Sequence, residues 1–99
     1  MKNLKTNVDL IINFKRNRGE IELRLLSGKV LISTLDFSFQ GNLDDLLIAA
    51  VDKIMKRNRI GTLSLKTIKI EGNIDENSSA YKIALSFTKA WKEAKMVGF

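Results

Sequence analysis

Between Glu20 and Leu26 the chain alternates strictly, with Ile21, Leu23 and Leu25 apolar and Glu20, Glu22 and Arg24 polar. A two-residue period puts successive side chains on opposite faces of an extended backbone, so this segment reads as a half-buried strand. Its neighbours extend the pattern. Val8 to Phe14 is an apolar-rich run ahead of a turn at Lys15-Arg16-Asn17-Arg18-Gly19. Val30 to Phe39 follows a tight turn at Ser27-Gly28 and alternates in its second half through Leu35, Phe37 and Phe39. Three consecutive strands on short turns predict an antiparallel meander.

The period then changes. Gln40-Gly41-Asn42 breaks the strand pattern, with Asn42 as the expected helix N-cap and Asp44 and Asp45 in the first turn, where the helix dipole favours acids. Leu43, Leu46, Leu47, Ala50, Val51 and Ile54 recur at helical spacing, Lys56, Arg57 and Arg59 crowd the last turn, and Gly61 is the expected terminator. Leu63 to Ile70 reads as a fourth strand whose alternation shifts after Lys66, and Glu71 to Asn77 as a polar loop. A second helix, capped by Ser78 or Ser79, carries Ala80, Ile83, Ala84, Phe87, Ala90, Trp91 and Ala94 in one stripe and ends before Gly98. The order β-β-β-α-β-α predicts a single α/β domain over 1–99. Strand four would lie parallel to strand one through a right-handed crossover, with two helices covering a mixed sheet. This is the element order of the ribonuclease-H-like core, shared by nucleases, sugar kinases and actin-like ATPases.

The missing residue types narrow the chemistry. With no histidine and no cysteine, thiol nucleophiles, Ser-His-Asp triads and the usual zinc sites are excluded. What remains is carboxylate, lysine or hydroxyl chemistry, or a carboxylate-held Mg²⁺. Nucleases of this core gather acids around two metal ions, the first of them central on strand one, where this chain has Ile12 or Asn13. Asp9 lies at the wrong end of that strand, and Glu71 alone is suitably placed at the end of strand four. No phosphate-cradling glycine motif occurs. A non-enzymatic chain without a cofactor is the expectation, and a metal-dependent nuclease the third reading.

A net charge of +6 suits nucleic acid or an acidic partner. Lys-Arg-Asn-Arg occurs twice, at 15–18 and 56–59, so Lys15, Arg16, Arg18, Lys56, Arg57 and Arg59 are candidate contacts of a basic nucleic-acid-binding module. The proposed topology sets the two copies at opposite ends of the sheet, where each also reads as ordinary turn or helix-end charge. Phe37 and Phe39 have the aromatic faces to stack bases, but core packing is the expected role. No apolar run approaches the ~20 residues of a membrane helix, and the polar start, Met1 to Asp9, lacks a signal-peptide core. A cytoplasmic chain is expected.

Both helices carry more apolar surface than one stripe requires. Ile48 and Met55 lie off the main stripe of the first helix, and Tyr81 and Leu85 flank that of the second. Two helices on one sheet have nothing of their own to enclose such faces. The expected site is therefore a protein–protein interface formed by Leu47, Ile48, Val51, Met55, Tyr81, Leu85 and Thr88, in a dimer or with another protein.

One segment points to a narrower relation. Ala80-Tyr81-Lys82-Ile83-Ala84-Leu85-Ser86-Phe87-Thr88-Lys89-Ala90-Trp91 resembles the helix of the bacterial TsaB (YeaZ) family that reads roughly G-L-R-I-G-L-S-F-A-K-G-L, and Gly28-Lys29-Val30-Leu31 resembles that family's second hairpin. Where the family has a glycine-rich loop before the helix, this chain has Asn73 to Ser79, and Asn13-Phe14-Lys15 replaces its Asp-Thr-Ser. The resemblance implies the first of the family's two lobes. It also implies a non-catalytic scaffold that supports TsaD in making threonylcarbamoyladenosine on tRNA, using its two helices for self-pairing or for TsaD.

Overall fold

The alternating segments become strands whose register puts like with like. The computed structural model describes residues 7–16, 19–61 and 64–96. Its elements run β1 (Val8–Phe14), β2 (Glu20–Ser27), β3 (Val30–Ser38), α1 (Leu43–Arg57), β4 (Leu65–Gly72) and α2 (Ser79–Met96). The sheet order is β3-β2-β1-β4, with β1 antiparallel to β2 and parallel to β4. β4 therefore lies parallel to β1, as expected, and is reached from β3 through α1.

Pairing of Leu10 with Leu25 and Ile68, and of Ile12 with Leu23 and Ile70, builds one apolar face across three strands. Both helices pack on that face. Leu43, Leu47, Ala50, Val51 and Ile54 of α1 and Ala84 of α2 join the strand residues in one core. The opposite face carries Asp9, Ile11, Asn13, Glu22, Arg24, Thr67, Lys69 and Glu71, and none of these is buried. Polar pairs suit it to water: Arg24 Nε donates to Glu22 Oε1 at 2.8 Å, and Thr67 Oγ1 donates to Asp9 Oδ1 at 2.7 Å.

Several boundaries differ from the sequence expectation for local reasons. The hairpin turn is Gly28-Lys29, because Ser27 and Val30 already pair. Phe39 lies one residue beyond β3, its amide donating to the Gly19 carbonyl at 2.8 Å. The fourth strand runs on to Gly72, while Leu63 lies outside the described residues. The phase shift read at Lys66 is a bulge: Val8 faces Leu65 and Asp9 faces Thr67, leaving Lys66 without a partner on β1.

The helix ends show which capping rules operate. Asn42 precedes α1 but makes no side-chain cap, so the expected Asn42 cap is corrected. Its carbonyl accepts from the Leu46 amide instead, at 3.2 Å. Ser78 caps α2, its Oγ accepting from the Tyr81 amide at 3.2 Å. At the end of α1 the terminator is Arg59 rather than Gly61. Arg59 adopts φ 58°, its amide donates to the Lys56 carbonyl at 3.1 Å, and the Ile60 amide donates to the Met55 carbonyl at 2.9 Å. These are the two bonds of a Schellman motif. Asn58, buried, adds a side-chain bond to the Ile54 carbonyl at 2.7 Å. A left-handed arginine carries a steric cost that glycine avoids, so Arg59→Gly should stabilise the chain by about 0.5–1 kcal/mol, read as a raised denaturation midpoint.

Among the described residues no helix is long and apolar enough to cross a membrane. The element order, the mixed sheet and the two helices on one face make this a ribonuclease-H-like α/β fold.

Candidate functional site

β3 and β4 finish at the same end of the sheet as β1, since Phe37 pairs with Ile21, and Phe14 with both Ile21 and Gly72. Both helices start from that end and run back across the core, parallel to each other. Between their outer faces lies a groove of about 450 Å³, lined by Asp44 and Ile48 of α1 and by Lys82, Ile83, Ser86, Phe87 and Ala90 of α2. The two charges stand near the helix starts and the apolar residues further along. Ile48 is 57% exposed, one of the large apolar side chains the fold leaves in solvent.

The groove arises from unequal seating of the helices. α1 buries a wide arc of five residues, while α2 enters the core through the small Ala84 and the buried Thr88. Its larger side chains, Ile83 and Phe87 on one flank and Tyr81 and Leu85 on the other, stay only half-buried.

This seating divides the sequence-derived interface residues. Ile48 lies on the groove, and Met55 is half-buried against the core. Leu47 and Val51 are core residues, at 0% and 7% exposure, so their assignment to a partner surface is corrected: they face the sheet. Thr88 is likewise buried, its Oγ1 donating to the Ala84 carbonyl at 3.0 Å, and is not a surface residue. Tyr81 and Leu85 lie on the flank of α2 turned away from α1. Of the expected core stripe, Ile83 and Phe87 pack against the core and also line the groove, whereas Ala90 is exposed on it; seven stripe positions on one helix exceed what a two-helix layer can cover.

The basic residues fall into two groups. Lys15 and Arg16 stand at the carboxyl end of β1, beside a recess of about 550 Å³ of mixed lining that Asn73, Asp75, Ser78, Phe39 and Ile74 also line. Arg18 lies outside the described residues. Lys56, Arg57 and Arg59 stand at the other end of the sheet, about 20 Å away over the length of a seven-residue strand. Lys15 pairs with Asp36 at 3.2 Å, Lys56 with Asp52 at 3.2 Å, and Arg57 Nη1 donates to the Thr34 carbonyl at 3.2 Å. Glu71 is exposed at the end of β4, in register with Asn13, whose Nδ2 donates to Glu22 at 3.3 Å. Among the described residues no three His, Cys, Asp or Glu side chains are gathered where they would hold a metal ion.

No protein-family model matches the chain, and no curated protein matches it either. Its fold is similar to that of YeaZ from Pseudomonas aeruginosa, with a TM-score of 0.71 over 90% of this chain and 11% sequence identity. The chain spans 40% of the length of that protein. The likeness is one of fold.

Proposed function

We propose that the chain is a non-catalytic interaction subunit that pairs with a second copy of itself through the groove between α1 and α2. The observation carrying this reading is Ile48, a large apolar residue held in solvent beside Ile83, Phe87 and Ala90. A two-fold axis along the groove would lay α1 on the partner's α2. Ile48 would then meet an apolar wall, and Asp44 would face the partner's Lys82, so one rim charge of each sign serves both copies. In its finer form the reading is a degenerate TsaB-like partner in tRNA threonylcarbamoyladenosine modification, with the same helix face open to a TsaD-type protein. The likeness of fold to YeaZ and the resemblance at Ala80–Trp91 support it.

Sedimentation at ~100 µM should show a dimer, an association well within reach of a modest apolar interface. Ile48→Asp or Phe87→Asp should convert it to monomer, whereas Ala49→Asp, on exposed α1 surface outside the groove, should not. A monomeric parent chain at that concentration would remove self-pairing from the reading.

A further inference from the structure

The charges of the chain are sorted by end. Of its eleven acidic residues, only Asp9, Asp52 and Glu93 stand in the half of the molecule where β1 and β4 begin. Two of these are engaged: Asp9 accepts from Thr67 Oγ1 at 2.7 Å, and Asp52 pairs with Lys56 at 3.2 Å. The exposed cations Lys29, Lys56, Arg57, Arg59 and Lys66 stand at the same end. Lys29 lies in the turn between β2 and β3, Arg59 follows α1, and Lys66 is near the start of β4. None of these three is ion-paired among the described residues. Four strands at ~4.8 Å spacing make the end of the sheet only ~15 Å wide, so a flat charged surface laid across it reaches all of these cations.

That end also carries bare apolar side chains. Val30 and Leu31, directly after the Gly28-Lys29 turn, are 67% and 53% exposed. A β-carbon added at Gly28 would meet nothing within 4 Å, so the turn stands clear of the rest of the chain. Register sets Val30 level with Ser27 and Val8, on the face that carries the helices, and Leu31 level with Leu26 and Asp9, on the open face. The hairpin tip is therefore a wedge that is apolar on both sides. Arg57 donates to the Thr34 carbonyl at 3.2 Å, three residues along β3 from Leu31, which puts the cationic end of α1 within about 10 Å of the wedge.

We propose that this end of the molecule docks on an anionic lipid surface, with the β2–β3 turn as its apolar wedge. A flat protein partner would cover Val30 or Leu31 and leave the other in water, and a nucleic-acid backbone would meet the cations without using either. The interfacial zone of a bilayer surrounds whatever enters it, so both side chains leave water together. Lys29 beside them can bury its stem and keep its ammonium among the phosphates. Lys56, Arg57, Arg59 and Lys66 then face headgroup charge, and apolar burial and charge attraction add in binding of this kind. The acidic half of the molecule points away from the lipid, where it escapes repulsion. The groove between the helices runs along the side of the molecule and stays open.

The test is co-sedimentation of the full chain with phosphatidylcholine vesicles, with and without about 30% phosphatidylserine. Half-binding below ~1 mM anionic lipid is expected, and at least ~tenfold weaker binding to phosphatidylcholine alone. Val30→Ser combined with Leu31→Ser should weaken the anionic binding at least ~tenfold with the denaturation midpoint unchanged. Arg59→Gly, which should stabilise the fold, should nonetheless weaken it about fivefold, the contribution of one cation near such a surface. Because the chain has no cysteine, Lys29→Cys carries a single environment-sensitive fluorophore. Its emission should shift to the blue on anionic vesicles, whereas the same label at Ala49→Cys, on exposed α1 surface, should not shift. Ile48→Asp should bind with the wedge label shifting as before, which separates this result from the fate of self-pairing. Equal binding to both vesicle types would overturn the proposal, as would full binding by the double serine variant or a label at Lys29→Cys that stays in water. Capture of oligothymidylate with no binding to anionic vesicles would overturn it in favour of a nucleic-acid surface.

Discussion

Gly72→Ala is expected to destabilise the chain by about 3 kcal/mol or more, a large part of the 5–15 kcal/mol that holds a domain of this size folded. Gly72 closes β4 at φ 105°, a conformation that side chains of L-residues rarely adopt. A β-carbon there would fall onto the Phe14 carbonyl oxygen, 2.6 Å from the Phe14 nitrogen and 2.8 Å from Asn13 Oδ1. Those atoms have little freedom to yield. Phe14 is paired on both sides, to Ile21 and to Gly72 itself, and its carbonyl already accepts from the Asn73 amide at 2.9 Å. Chemical denaturation measures the loss. Gly28→Ala is the control, since Gly28 also has positive φ, 63°, but open space where its β-carbon would go. It should lose only the conformational cost, about 1 kcal/mol. Equal losses at the two positions would show that dihedral strain alone, without the approach to Phe14, sets the effect.

The contrast between these glycines marks how far the fold was legible. Alternation at Ile21, Leu23 and Leu25 needs only local information, because one buried face imposes the two-residue period wherever it occurs. The phase shift at Lys66 was readable for the same reason. Gly72, in contrast, reads locally as part of a polar loop, since its constraint comes from β1, which is remote in sequence. The end of α1 failed differently. Glycine is the usual left-handed terminator, which points to Gly61, but Asn58 and Ile60 complete the motif around Arg59 two residues earlier. At the candidate site the apolar pattern points to the helix surface and to Ile48, but Leu47, Val51 and Thr88 are buried in the core. A helix apolar over more than half its circumference does not reveal which arc meets the sheet. That arc depends on crossing geometry, and here on the small Ala84 that lets α2 settle against the core.

Leu47 and Ile48 are adjacent, similar in size and both apolar, and their truncation should separate those two meanings of an apolar helix residue. Leu47 is 0% exposed and Ile48 57%. Leu47→Ala removes buried atoms and leaves a cavity in the one core cluster to which Leu47 belongs, so a loss of about 3 kcal/mol is expected. Ile48→Ala removes atoms that are more than half exposed and should change the stability of the monomer by no more than about 0.5 kcal/mol. The association data should run the other way. A folded fraction of Leu47→Ala would still pair, because the groove residues are untouched, whereas Ile48→Ala should weaken pairing without moving the denaturation midpoint measured at concentrations too low for dimer. If Ile48→Ala lowers that midpoint as far as Leu47→Ala does, Ile48 is part of the core in solution, α2 sits closer to α1 than described, and the groove on which self-pairing depends is closed.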